Sequence, residues 1–158
     1  MEATIRIGVK KDLPPVLELI RELAAYERAE HEVENTLERM EEDGFGADPC
    51  FHFFVAEVDH QIVGLSLFYT RYSTWKGRML YLEDIVVRAS ARGKRIGHLL
   101  FTATANHALQ KNYAGMTWQV LDWNEPALRF YKKYNAQLDG EWINGKLMAA
   151  DLKKMLQS

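Results

Sequence analysis

The chain has 158 residues, a formal net charge of −2 and 47% apolar residues, enough to bury one sizeable core. It lacks the basic excess of a general nucleic-acid binder, an apolar run of the ~18 residues a membrane span needs, and the apolar centre of a signal peptide. The single cysteine, Cys50, excludes an internal disulfide, fits a reducing cytoplasm, and reads as a small buried hydrophobe. One domain over 3–158, in the cytoplasm and without a nucleic-acid or membrane partner, is the expectation.

Along the chain, TIRIGV (4–9) alternates as a short strand. Asp12 is placed to cap the next helix, with Pro14 and Pro15 in its first turn. Leu13, Val16, Leu17, Ile20, Leu23 and Ala24 keep helical spacing up to Tyr26 and Glu27. A second helix is predicted from Asn35 or Thr36 to about Gly44, with Glu38 in a capping role.

FHFFVAEV (51–58) and QIVGLSLFYTRY (61–72) read as strands joined by a tight Asp59-His60 turn. RMLYLEDIVV (78–87) is a third strand, and its apolar end suggests burial on both faces. Ile96, Leu99, Leu100 and Ala103 open a helix that runs to about Lys111. TWQVLDW (117–123) follows as a strand, Asn124-Glu125-Pro126 starts a helix through Tyr131, and WINGKLM (142–148) reads as late β structure. A mixed α/β sheet with helices on both faces accommodates this order.

Between the third strand and its helix lies RASARGKRIGHLL (88–100). Arg88, Arg92, Lys94 and Arg95 crowd a helix start, where the macrodipole already favours anions. Two glycines let backbone N–H groups converge there, as in phosphate-binding nests. The loop is neither GxxxxGK[ST] nor GxGxxG. The cations point to a pyrophosphate. A second charge feature is acidic: residues 27–48 carry nine carboxylates against Arg28 and Arg39. Such a tract is either a solvated face or a field that steers a cationic substrate.

Arg92-Gly93-Lys94-Arg95-Ile96-Gly97 resembles the R/Q-x-x-G-x-G/A signature of the GNAT superfamily of acetyl-CoA-dependent N-acetyltransferases. Arg95 stands at the usual middle glycine, a departure the loop should tolerate with a negative φ there. LAAYE (23–27), EDGFG (42–46), HFFVAEV (52–58), YSTWKGR (72–78), YLEDIVV (81–87), VLDWNEP (120–126) and FYKK (130–133) look like the polyamine and thialysine acetyltransferase branch. YSTWKGR and VLDWN are closer to its thialysine member.

The resemblance implies the GNAT fold, a mostly antiparallel sheet splayed at two adjacent parallel strands, forming a single N-acetyltransferase domain over 3–158. It implies acetyl-CoA as acetyl donor, a small primary amine as acceptor (thialysine, a lysine-like amino acid, or a diamine or polyamine), direct attack in a ternary complex, and a homodimer. By the same resemblance the backbone of Ile85, Val86 and Val87 would pair with the pantetheine arm. Gly93, Lys94, Arg95, Ile96, Gly97 and His98, with Arg92, would cradle the pyrophosphate. Asn124, with Pro126 beside it, would meet the pantetheine, and Tyr131 matches the general acid.

Glu83 and Asp84 are adjacent on the third long strand, and alternation sends them to opposite faces. Glu83 is assigned to the amine and to water-mediated proton removal, with Asp84 as a second contact. Buried carboxylates want a cation, which an ammonium substrate would supply. Tyr26, Glu27 and Glu141 match positions that bind substrate, Tyr26 and Glu27 from the first helix or a neighbouring subunit. Asn144-Gly145 departs from the family pattern and favours a tight turn. No metal is expected, because the five histidines show no ligand spacing. Two other readings are a protein N-terminal or lysine acetyltransferase and a CoA-binding sensor without turnover.

Overall fold

Three consecutive apolar segments pair at the centre of a sheet, and helices on both its faces pack against them. The computed structural model describes residues 2–157. They form two units, one up to Gln119 and one from Val120. The first contains β1 (Thr4–Ile7), α1 (Leu13–Tyr26), α2 (Leu37–Phe45), β2 (His52–Val58), β3 (Gln61–Ser73), β4 (Gly77–Val87), α3 (Ile96–Gln110) and β5 (Gly115–Trp118). The second contains α4 (Glu125–Lys132) and α5 (Ala149–Leu156).

The strands run in the order β1-β2-β3-β4-β5, antiparallel except for the parallel pair β4-β5. Alternation along each strand divides the core in two. Val55, Leu65, Leu67 and Val86 pack on one face with Leu13, Val16 and Leu17 of α1 and Met40 of α2. Ala56 and Val63 pack on the other face with Ile96 and Leu100 of α3. A buried Ser66–Thr104 hydroxyl pair (2.6 Å) ties α3 to the sheet. The β2-β3 turn is left-handed at Asp59 (φ 50°) and His60 (φ 64°), as a two-residue hairpin demands.

Several expectations change. Asp12 does not cap α1: its carboxylate accepts two bonds from Arg6 (2.7 and 2.9 Å) and one from the Val9 N–H (2.8 Å). A bidentate charged pair outcompetes a cap. In α2 the cap is Thr36, whose hydroxyl accepts from the Arg39 N–H, so Glu38 takes no part. Cys50 is exposed, not buried.

β5 stops at Trp118 instead of reaching residue 123, because its pairing with β4 ends at Leu82↔Trp118. Residues 142–148 form no strand: Trp142 is 78% and Ile143 97% exposed, and alternation without a partner strand builds nothing. The chain instead turns into α5, at whose start Asp151 accepts from the Met148 N–H (3.0 Å).

Candidate active site

The central feature is an irregularity in β4. Leu67 pairs with Asp84 but the next residue, Phe68, pairs with Leu82, so Glu83 is an extra residue in the ladder. A bulge of this kind breaks alternation. Cross-strand partners share a face, so Asp84 lies with Leu67 on the α1 side. Tyr69, two residues from Leu67, lies there too, and its hydroxyl donates to Glu83 Oε1 (2.7 Å). Glu83 and Asp84 therefore face the same side, against the expectation of opposite faces.

Glu27, the residue that closes α1, adds its charge to the same place. Asp84 makes no hydrogen bond or ion pair among the described residues. Burial, then the charges of Glu83 and Glu27, push its carboxyl up to about 7. Burial also raises Glu27. An unpaired, withdrawn carboxylate beside two others is unfavourable unless something cationic arrives. Tyr81 stacks on Tyr69 with ring centroids 5.4 Å apart. Both phenols are held protonated by burial, Tyr69 also by its bond to Glu83.

The cationic loop forms a second centre. Gly93 (φ 82°) and Arg95 (φ 62°) are both left-handed and flank Lys94. Arg95 thus departs from the negative φ expected of it and adopts the conformation a glycine takes freely. The reason lies in the turn: β4 must reverse into α3, and Arg95 is the N-cap. The first turn of α3 has neither a side-chain cap nor an acidic residue. A Cβ on Gly93 would meet nothing within 4 Å. An open, electropositive corner with converging N–H groups suits a phosphate.

Of the four cations, Arg88 is committed elsewhere, to Glu18 (3.8 Å) and Glu22 (3.7 Å) on α1. The Arg92 Nε donates to the Val87 carbonyl (3.2 Å), and its guanidinium lies 5.7 Å from the Tyr26 ring. Tyr26 thus meets the loop. Lys94 and Arg95 remain exposed. Replacing Arg95 with glycine should stabilise the fold by about 1 kcal/mol, or about 2–4 °C in Tm, by removing the left-handed strain. The same variant should bind a phosphate ligand more weakly, through loss of the cation; calorimetric unfolding and a titration read the two effects separately.

Past the Leu82↔Trp118 pair, β4 continues to Val87 without β5 beside it, so Ile85, Val86 and Val87 pair only with β3, at Ser66, Leu65 and Gly64. That unpaired edge can take an extended ligand. Thr117, opposite Tyr81 just before the strands part, carries a buried hydroxyl without a hydrogen-bond partner.

In the second unit, Asn124 caps α4, its Oδ1 accepting from the Ala127 N–H (3.3 Å), and Pro126 occupies the first turn. Tyr131 is 6% exposed, with Phe130 edge-on at 5.4 Å. The Glu141 side chain is exposed and its N–H bonds to Asp139 Oδ1 (2.9 Å).

Sequence reasoning missed Tyr69, Tyr81 and Thr117, and it could name Arg71, Lys76 and Arg78 as cations for an acceptor carboxylate without placing any of them. The i, i+2 spacing of Leu67, Tyr69 and Arg71 held a signal, but only the register assigns these side chains a face. A groove of about 670 Å³ elsewhere, lined by Arg6, Asp12, Glu57, His60 and Arg88 among others, holds neither Glu83 nor Asp84 and, of the four loop cations, only Arg88. Its Arg6, Asp12 and Glu57 satisfy one another.

Comparison with known proteins gives a consistent result. The profile of the acetyltransferase (GNAT) family matches residues 15–136. A thialysine N-epsilon-acetyltransferase of Bos taurus is 42% identical over 141 residues, covering 84% of this chain and 83% of its own. A human spermidine/spermine N(1)-acetyltransferase-like protein is 33% identical over 139 residues, 84% of this chain but 20% of that longer protein. Among solved structures, an integron cassette protein from the mobile metagenome of V. cholerae superposes with a TM-score of 0.79 at 22% identity, over 100% of this chain and 99% of that one. At that identity it speaks for the fold alone.

Proposed function

Because this chain belongs to the acetyltransferase (GNAT) family and is an N-acetyltransferase, we propose that it moves an acetyl group from acetyl-CoA to a primary amine of a small cationic acceptor. The observation that carries this reading is the bulge at Glu83, which sets Glu83 and Asp84 on one face beside Glu27. Three carboxylates gathered on one face, with Asp84 outside any ion pair among the described residues, make a seat for an ammonium group. The acidic tract over 27–48 then serves as a steering field.

The residues present fit acetyl-CoA. Arg92, Lys94 and Arg95, with the N–H groups from Gly93 to His98, would hold its pyrophosphate. The free edge of β4 at Ile85, Val86 and Val87 would hold its pantetheine arm. By resemblance to the family, Asn124 and Pro126 are assigned cofactor contacts. When bound, it supplies an acetyl thioester with a carbonyl carbon open to an amine and a thiolate able to leave.

Glu83, held by the Tyr69 hydroxyl, orients the ammonium. Asp84, with a carboxyl poised near 7, is the better proton acceptor, and we move that role to it from Glu83. A base is most effective when its pKa lies near the working pH. Tyr131 Oη is assigned the proton that neutralises the thiolate. Tyr26 and Glu27 border the acceptor from α1, and Glu141 is retained as an acceptor contact. The two units together are read as one domain, the single cysteine supports a cytoplasmic setting, and exposed Tyr72 and Trp75 support a homodimer.

The test is CoA release from acetyl-CoA with thialysine, lysine, putrescine, spermidine and spermine. Turnover concentrated on one of these amines is expected. Tight acetyl-CoA binding with no turnover of any of them would overturn the reading.

A further inference from the structure

Three cations, Arg71, Lys76 and Arg78, lie in or beside the β3-β4 hairpin, and the register separates them. Arg78 is in step with Leu80 and Leu82 on the α3 side, where its guanidinium lies 4.9 Å from the Tyr113 ring. Lys76 belongs to the exposed turn, its N–H bonded to Ser73 Oγ (3.0 Å). Arg71 is in step with Leu67 and Tyr69, on the face that carries Glu83 and Asp84. Its guanidinium lies 5.5 Å from the Tyr81 ring. It makes no ion pair among the described residues.

This face therefore changes sign along the strands. Carboxylates stand at one end, the stacked Tyr69 and Tyr81 in the middle, and an uncommitted guanidinium at the other end. Two strand steps of about 7 Å separate the Asp84 pair from the Arg71 pair, and the Arg71 side chain leans back over Tyr81 to shorten the gap. What remains is comparable with the distance between the two charged ends of an extended lysine-like amino acid. A polyamine would bring a second positive charge toward Arg71 and be repelled. An amino acid would bring a carboxylate, which a guanidinium binds through paired N–H donors.

Within the acetyl transfer proposed above, on which this rests, the structure assigns Arg71 as the residue that binds the acceptor's carboxylate and so selects an amino acid with a side-chain amine over polyamines. The role is specificity, apart from the chemistry at Glu83, Asp84 and Tyr131. It predicts a loss in KM with kcat kept.

The experiment compares thialysine with its carboxamide, which keeps both amines and removes the negative charge, on the full chain and on Arg71→Leu and Arg71→Lys. Wild type should favour thialysine by about ten- to a hundredfold in kcat/KM, the worth of one charged hydrogen-bonding pair. Arg71→Leu should lose that preference through KM on thialysine alone, and Arg71→Lys should recover part of it. Equal losses on both acceptors, or thialysine kinetics unchanged in Arg71→Leu, would overturn this assignment and leave acetyl transfer standing. Absence of turnover of either compound and of polyamines by wild type would overturn both.

Discussion

Asp84→Asn is expected to make the protein more stable at about pH 8 while cutting kcat/KM by about 10²–10⁴, the range for loss of a positioned general base. The stability gain follows from linkage. Below about pH 4 the carboxyl is protonated whether the chain is folded or not, and it costs nothing. As pH rises, the unfolded chain releases this proton first, while the folded chain retains it until about 7. Stability is lost across that window and stays lost above it.

Asparagine carries no charge at any pH, so it escapes the penalty. A shift of about three pKa units corresponds to an upper bound of about 4 kcal/mol, and water access near the site reduces the expected gain to about 2 kcal/mol. For a chain of this size that is about 4–8 °C in Tm at pH 8, vanishing toward pH 4. The wild-type kcat/KM should climb with pH to a limb near 7, and that limb should be missing in the variant. A variant with unchanged Tm at pH 8 would remove Asp84 from the role of strained, unpaired carboxylate.

Tyr131→Phe should lower kcat by about 10²–10³ and leave the acceptor KM within about twofold, because it removes only a proton donor. The ring stays in its buried place beside Phe130, so the fold should lose no more than about 1 kcal/mol. Acetyl-CoA binding, measured separately by titration, should be unaffected. A fall in kcat of less than about fivefold would reject the general-acid assignment and leave the tyrosine a packing role.

Much of this protein was legible in its residues. The apolar alternation of β2, β3 and β4, the Asp59-His60 turn, the prolines opening α1 and the Asn124 start of α4 are local signals, and each became the element it announced. The glycine- and arginine-rich stretch before α3 was legible as a turn into a helix, and the structure places that turn at Gly93 and Arg95. What failed locally failed for want of a partner. Residues 119–123 and 142–148 have strand-like composition, yet no neighbouring strand pairs with them.

The sequence by itself determined the family and the order of β1 through α4, since these depend on short-range periodicity and on motifs that carry their own chemistry. Tertiary structure alone decided which side chains share a face. The bulge at Glu83 shifts the register by one residue and so turns two carboxylates the same way. A period of two cannot foresee an inserted residue, because the insertion exists only in the pairing with β3. The same register sends Arg71 to the carboxylate face and Arg78 to the opposite one.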